Sequence, residues 1–337
     1  MKLFAFTIEP LSAFGTPLKG DTIFGHFCWQ AWHDPELLKE DFGTCLQHYH
    51  ENPFIVFSSA LVGLSESETP FAAPRPELPP HRLFAAGGTR LERVKSAKMN
   101  KGRKWLLIDR SLDIVLDEKR LLSDAELARL ALPNLKTDEI QPPLKEMKTR
   151  THNTINRWTN TTGTGMFAPY ETDTILYRPG TRLVILAGLD ESVTAADSVA
   201  IALERIGKLG YGRDASTGLG HFVVVAQEQL PWPQWMSAEA LYTLGPAVLD
   251  QNDYVKVYCK PFVRFGRHGD QLAHSRNPFK NPVIMADEAA VCAGPKFLDN
   301  FKGYVGQAVT GVSKAMPEAV TQGYTLCLPI SGLGSFS

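Results

Sequence analysis

A chain of 337 residues, 44% apolar and 21% charged, can form one large or two medium domains with packed cores, which excludes a disordered or fibrous protein. Its net charge of −1 excludes a generally basic protein but hides an asymmetry. Between Arg82 and Lys104, eight Lys/Arg residues (82, 90, 93, 95, 98, 101, 103, 104) stand against one acid, Glu92, a surplus suited to a polyanion.

In chain order, Leu3 to Ile8 alternates, with Phe4, Phe6 and Ile8 on one side, and reads as a strand. The loop Pro10 to Gly20 follows. Asp21 then caps a helix whose apolar stripe is Ile23, Phe24, Phe27, Cys28 and Ala31; Pro35 interrupts it, and a further helical stretch runs to about Tyr49. Phe54 to Phe57 is a buried strand. From about Thr69 to Tyr177 the pattern dissolves into proline, glycine and polar residues, with the basic run near its start. Order resumes with the strand Arg182 to Ala187. A helix over 194–208 comes next, started by a capping box of Thr194 and Asp197, with Val199, Leu203 and Ile206 on one face. A strand over 221–226 closes this part.

Without the insertion at about 69–177, residues 1–228 read β-α-β-β-α-β. This is the α+β ferredoxin-like arrangement that RNA-recognition domains share. Pro231-Trp232-Pro233 is a connector. Residues 229–337 then form a second, smaller and reduced ferredoxin-like domain, with a strand from Tyr254 to Phe265 and another ending at Ile330.

The five cysteines (28, 45, 259, 292, 327) are odd in number and contain no C-x-x-C pair, which fits a reducing compartment. The opening apolar run is broken by Glu9 and Pro10, so no signal peptide is visible, and no run approaches the roughly 18 residues of a membrane span. A cytoplasmic protein without membrane contact is expected. Cys45, His48 and His50 lack a matching second half for a zinc site, so no metal or cofactor is expected. Hydrolase and two-metal nuclease motifs are also missing.

The segment Gly210-Tyr211-Gly212-Arg213-Asp214-Ala215-Ser216-Thr217-Gly218-Leu219-Gly220 holds two Gly-x-Gly pairs separated by five residues. Such glycines admit φ > 0 and close backbone approach, which suits a loop holding a phosphate chain through N–H groups and hydroxyls. The order helix, glycine loop, strand is the reverse of a Rossmann or P-loop site, so a nucleotide cofactor fits poorly.

The glycine loop, the opening Pro10 to Gly25, the stretch His152-Asn153-Thr154-Ile155-Asn156-Arg157 and the tail from Gly303 together resemble the RAMP superfamily of CRISPR-associated RNA-binding proteins. Within it the chain looks most like the fourth-subunit family of type III-A Csm effector complexes, in the Cas-five-like group. The resemblance implies a non-catalytic subunit that caps the complex and holds the repeat-derived 5′ tag of the crRNA. Its implied partners are the large Cas-ten-type subunit and the backbone RAMP subunits.

The residues suit an RNA site. Lys19 precedes the first helix, close to an anion-friendly N-terminus. Arg213, Ser216 and Thr217 can reach a phosphate or a 2′-hydroxyl beside Gly210, Gly212, Gly218 and Gly220. Tyr211 and Phe14 are candidate stacking platforms. Arg150, Asn153 and Arg157 sit in the insertion, where they can read bases or sugars. Arg93, Lys95, Lys98, Lys101, Arg103 and Lys104 form the electrostatic clamp. His26, just off the first helix's apolar stripe, touches RNA or, in the rival reading, is the general base of a metal-independent endoribonuclease processing precursor crRNA. A further rival is the equivalent subunit of a type III-B or III-D complex.

Overall fold

The computed structural model describes residues 1–64, 70–84, 89–133, 143–235, 238–296 and 301–333. Strand β1 (Lys2–Pro10) leads into helix α1 (Gly20–His33), and the chain returns through β2 (Ile55–Phe57). Later come β3 (Leu183–Leu189), α2 (Ala196–Leu209) and β4 (Phe222–Leu230). β1 pairs antiparallel with both β3 and β4, and β3 pairs antiparallel with β2. The lateral order β4-β1-β3-β2 is that of a ferredoxin-like sheet, as the sequence implies.

All seven residues of β3 are buried, as are Leu3, Phe4, Ala5, Phe6 and Ile8 of β1. Side chains alternate across a strand, so burial of neighbours means that both faces of the sheet are covered. No open sheet face remains at the centre for bases to stack on, unlike the arrangement the RNA-recognition analogy suggests.

The second sheet follows the connector. Its strands are β5 (Ala240–Thr243), β6 (Lys256–Tyr258), β7 (Val291–Ala293) and β8 (Tyr324–Ser331). They lie in the order β8-β5-β7-β6, all antiparallel. Each strand's place in sequence matches its counterpart in the first sheet, with no α-helix among the described residues between them. It is a reduced copy of the same arrangement. The strand expected from Tyr254 to Phe265 is broken, because Pro261 starts a separate strand, Pro261–Arg264, paired with Val283–Ala286.

The two sheets share one continuous core. Gln322, fully buried, donates its side-chain amide to the Phe57 carbonyl at 2.9 Å and accepts from the Phe57 N–H at 3.0 Å. A side chain thereby completes the pairing that β2 would otherwise lack, since buried backbone groups need partners. Tyr242 likewise donates its hydroxyl to the Pro74 carbonyl at 2.6 Å.

The stretch expected to dissolve is largely ordered where it is described; residues 69, 85–88 and 134–142 lie outside the described residues. Leu61–Gly63, Phe71–Pro74, Arg103–Ile108 and Leu121–Ser123 extend the first sheet beyond β3. Ile114–Val115 pairs in parallel with β8. Two helices carry capping boxes: Thr89 with Glu92 starts Arg90–Gly102, and Ser123 with Glu126 starts Asp124–Ala131. Helix starts are also corrected. α2 begins after Ala195 without a side-chain cap, because the buried Thr194 hydroxyl donates to Leu37 at 3.0 Å. Asp21 lies inside α1, ion-paired with Arg264. After Pro35 there is a short 3-10 turn and a separate helix, Phe42–His48.

Candidate nucleic-acid interface

The glycine loop joins α2 to β4. All four motif glycines have positive φ, from 77° to 94°, and Asp214 is left-handed at 63°. This backbone path is costly for residues with a Cβ. Space adds a second demand: a Cβ on Gly220 would lie 2.1 Å from the Tyr211 carbonyl, and one on Gly212 2.6 Å from Thr16 Cβ. Gly218 differs, since nothing lies within 4 Å of its Cβ position.

These glycines let the loop lock onto the 10–20 segment. Gly220 N–H donates to the Ala13 carbonyl at 2.8 Å, and Arg213 N–H to the Thr16 hydroxyl at 2.9 Å. Tyr211 donates its hydroxyl to Pro17 at 3.0 Å. Tyr211 N–H donates to Gly220, and Thr217, Gly218 and Leu219 donate to Ala215 or Asp214 within the loop. Of the loop's backbone donors, only the N–H groups of Asp214, Ala215 and Ser216 keep no acceptor among the described residues. The expectation of a broad backbone cradle is corrected: most donors hold protein to protein, and the free ones are confined to 214–216, of which only Ser216 is exposed.

Four expected contacts are corrected with it. Phe14 and Tyr211 are each 1% exposed and meet edge-on at 6.3 Å, so neither offers a face to a base. Lys19 is ion-paired with Asp287 and lies 5.0 Å over the Phe262 ring; its charge is spent within the protein. His26 is half-buried, packs 4.7 Å from the Tyr211 ring, and accepts the Gly212 N–H on Nε2 at 3.1 Å. Burial pushes its pKa down to about 4, so the ring is neutral. The Nε2 lone pair that a general base needs is occupied.

The charged and exposed residues gather elsewhere. Lys145–His152 and Tyr170–Tyr177 form an antiparallel hairpin, exposed on both faces from Lys145 to Thr151. Its base is bonded both ways between Phe14 and Ile175 at 2.8 Å, beside the glycine loop. The Arg213 guanidinium ties the two together, donating to the Asp173 carbonyl at 2.6 Å. Arg150, Asn153 and Arg157 are all exposed on this arm. Its tip also carries Trp158, 97% exposed, and Met166, 82% exposed. Sequence reasoning missed these two; the threonine-rich turn around them offered only a lone tryptophan as signal.

The basic run splits in two. Arg93, Lys95, Lys98 and Lys101 lie on the exposed helix Arg90–Gly102 and have no carboxylate partner among the described residues. Arg103 and Lys104 begin the next strand and are paired, with Glu118 at 3.0 Å and Asp124 at 2.8 Å. Arg93, Lys95, Lys98 and Lys101 thus present charge without a carboxylate partner among the described residues.

No family model matches the chain, and no curated protein matches its sequence. Solved structures match its fold. A chain of a Csm3–Csm4 subcomplex of the type III-A CRISPR-Cas interference complex aligns over 98% of this chain and 100% of its own, with TM-score 0.59 at 13% identity. The chain shares the fold of that subunit, with its ferredoxin-like first sheet. Chains of Csm1–Csm4 cassettes align over 98% of both partners, with TM-score 0.52 and 14% identity for the cA4 complex and 0.51 and 15% for the pppApA complex. In this fold the glycine loop is the joint that seats the arm against the first sheet, through Arg213 and Phe14. No helix among the described residues is long and apolar enough to cross a membrane.

Proposed function

We propose that this chain is a non-catalytic RNA-binding subunit of a type III-A CRISPR effector complex, with residues 1–228 and 229–337 as its two domains. It caps the complex, grips the repeat-derived 5′ tag of the crRNA, and contacts the large subunit and the backbone subunits. The fold match to type III-A chains over 98% of the length supports a place in such an assembly. The observation that carries the RNA grip is the exposed arm, with Arg150, Asn153, Arg157 and Trp158, tied near its base to the glycine loop by Arg213. Cations that track a backbone beside an open indole are the parts that hold single-stranded RNA. Phosphates are met by Ser216, Thr217 and the free N–H groups at the tip, and by the unpaired helix cations Arg93, Lys95, Lys98 and Lys101.

The test is to isolate the assembly through this chain, sequence the bound RNA and identify the co-purifying subunits. Guide transcripts keeping a uniform 5′ repeat tag, together with a large subunit and backbone subunits, are expected. An assembly free of RNA overturns the reading. Type III-B or III-D partners would move it to the equivalent subunit of those complexes.

A further inference from the structure

A second basic run lies between Lys256 and Ala286. It contains six Lys/Arg (256, 260, 264, 267, 276, 280) and one acid, Asp270, interleaved with Tyr258, Phe262, Phe265 and Phe279. The segment carries the hairpin Pro261–Arg264 with Val283–Ala286. Arg264 forks onto Asp21 at 2.6 and 2.9 Å, and Asp287 takes Lys19, so the hairpin is fastened to the start of α1. The 10–20 segment thereby touches the glycine loop at one end and this hairpin at the other.

Asp21, Asp287 and Glu77 hold Arg264, Lys19 and Lys260, and Asp270 faces His33. Lys280 is buried toward Cys28 and Asp21, whereas Arg267 and Arg276 have no carboxylate partner among the described residues. Beside them Phe265 is 76% exposed and Phe279 68% exposed, and the Arg267 guanidinium lies 5.6 Å over the Phe279 ring. Arg267 and Phe279 are bridged through their backbones, and Lys280 N–H donates to Gly266 at 2.8 Å, so the rings stand on a fixed frame.

Resting on the function proposed above, we infer that the Phe265–Phe279 face is a second binding surface for single-stranded RNA, stacking unpaired bases while Arg267 and Arg276 meet the phosphates. Open rings interleaved with unpaired cations suit a strand that has both π-faces and regular negative charge. The exposed aliphatics Val263 and Ile284 flank the rings and would serve a protein partner; Arg267 over the Phe279 ring and the exposed Arg276 favour RNA.

The experiment uses the full chain and a short fluorescent oligouridylate carrying 4-thiouridine, with affinity read by anisotropy and crosslinks mapped by mass spectrometry. Each stacked base contributes on the order of tenfold in affinity. The double variant Phe265→Ala/Phe279→Ala should therefore bind at least about tenfold more weakly, while Phe265→Trp/Phe279→Trp keeps binding, and crosslinks should fall on the segment 261–286. Both rings are exposed, so an unchanged melting temperature shows that the alanine variant is folded. Equal affinity of wild type and alanine variant overturns this inference and leaves the proposed function standing. Equal affinity with loss of co-purifying subunits also overturns it, and marks the face as a protein interface. A wild-type chain that binds no oligouridylate and assembles without RNA sinks both.

Discussion

The backbone N–H of Gly212 donates to Nε2 of His26 across 186 residues of sequence, at 3.1 Å. The bond fixes the imidazole as a neutral acceptor inside the joint between α1 and the glycine loop. A residue that looks like a candidate base is a fastening.

The first prediction is a pH dependence. Burial lowers the folded pKa of His26 from 6.5 to about 4, so between these values the unfolded chain takes up a proton that the folded chain refuses. The contribution to stability is whole above pH 6.5, shrinks as pH falls through this window, and stops changing below about 4. The loss is on the order of 3 kcal/mol, from about 1.4 kcal/mol per pH unit. Denaturant titrations over this range should show His26→Gln, which keeps an acceptor but does not titrate, losing less stability than wild type. Parallel profiles would refute it.

Two glycines with similar φ should respond differently. Gly220→Ala places a Cβ 2.1 Å from the Tyr211 carbonyl, whereas Gly218→Ala meets open space. The left-handed conformation costs roughly 1–2 kcal/mol, and this should be nearly the whole effect at Gly218. Gly220→Ala should cost several kcal/mol more, since backbone must move. Equal melting temperatures for the two variants would contradict the interlock.

Arg264 and Asp21 form a bidentate pair with Asp21 only 3% exposed in its side chain. Arg264→Met strands a buried carboxylate and should lower stability by about 3–5 kcal/mol. Adding Asp21→Asn should restore most of it. A double-mutant cycle measures the coupling, and additive single effects would deny the pair its role.

The run that sequence treats as one clamp should divide into two classes. Replacing Arg93, Lys95, Lys98 and Lys101 with alanine should leave the melting temperature unchanged, because all four are exposed and unpaired. It should reduce the log–log salt slope of RNA binding by about 0.7 for each phosphate that is no longer neutralised. Arg103→Ala breaks hydrogen bonds to both the carboxylate and the carbonyl of Glu118 and should cost about 1 kcal/mol. Exposed Lys104 should cost a fraction of that. Neither should move the slope.

The β-α-β-β-α-β order was legible because β1 alternates, β3 is a continuous apolar run, and each is followed by a helix long enough to carry its own period. The segment from Phe71 to Ala131 was not, since strands of three to six residues are too short to show a period. Its helices had a readable mark, Thr89-x-x-Glu92 and Ser123-x-x-Glu126, in the same capping pattern that Thr194 and Asp197 imitate without using it.

Local composition alone determined where the backbone must turn through positive φ, because that depends on the missing Cβ of Gly210, Gly212, Gly218 and Gly220 themselves. Tertiary structure decided which polar groups stay available. Lys19 is neutralised by a carboxylate 268 positions away, and Tyr211 vanishes beneath Pro17, 194 positions before it. A donor or a cation is free only if nothing folded against it has a matching charge or lone pair, and that is a property of neighbours in space rather than of the residue.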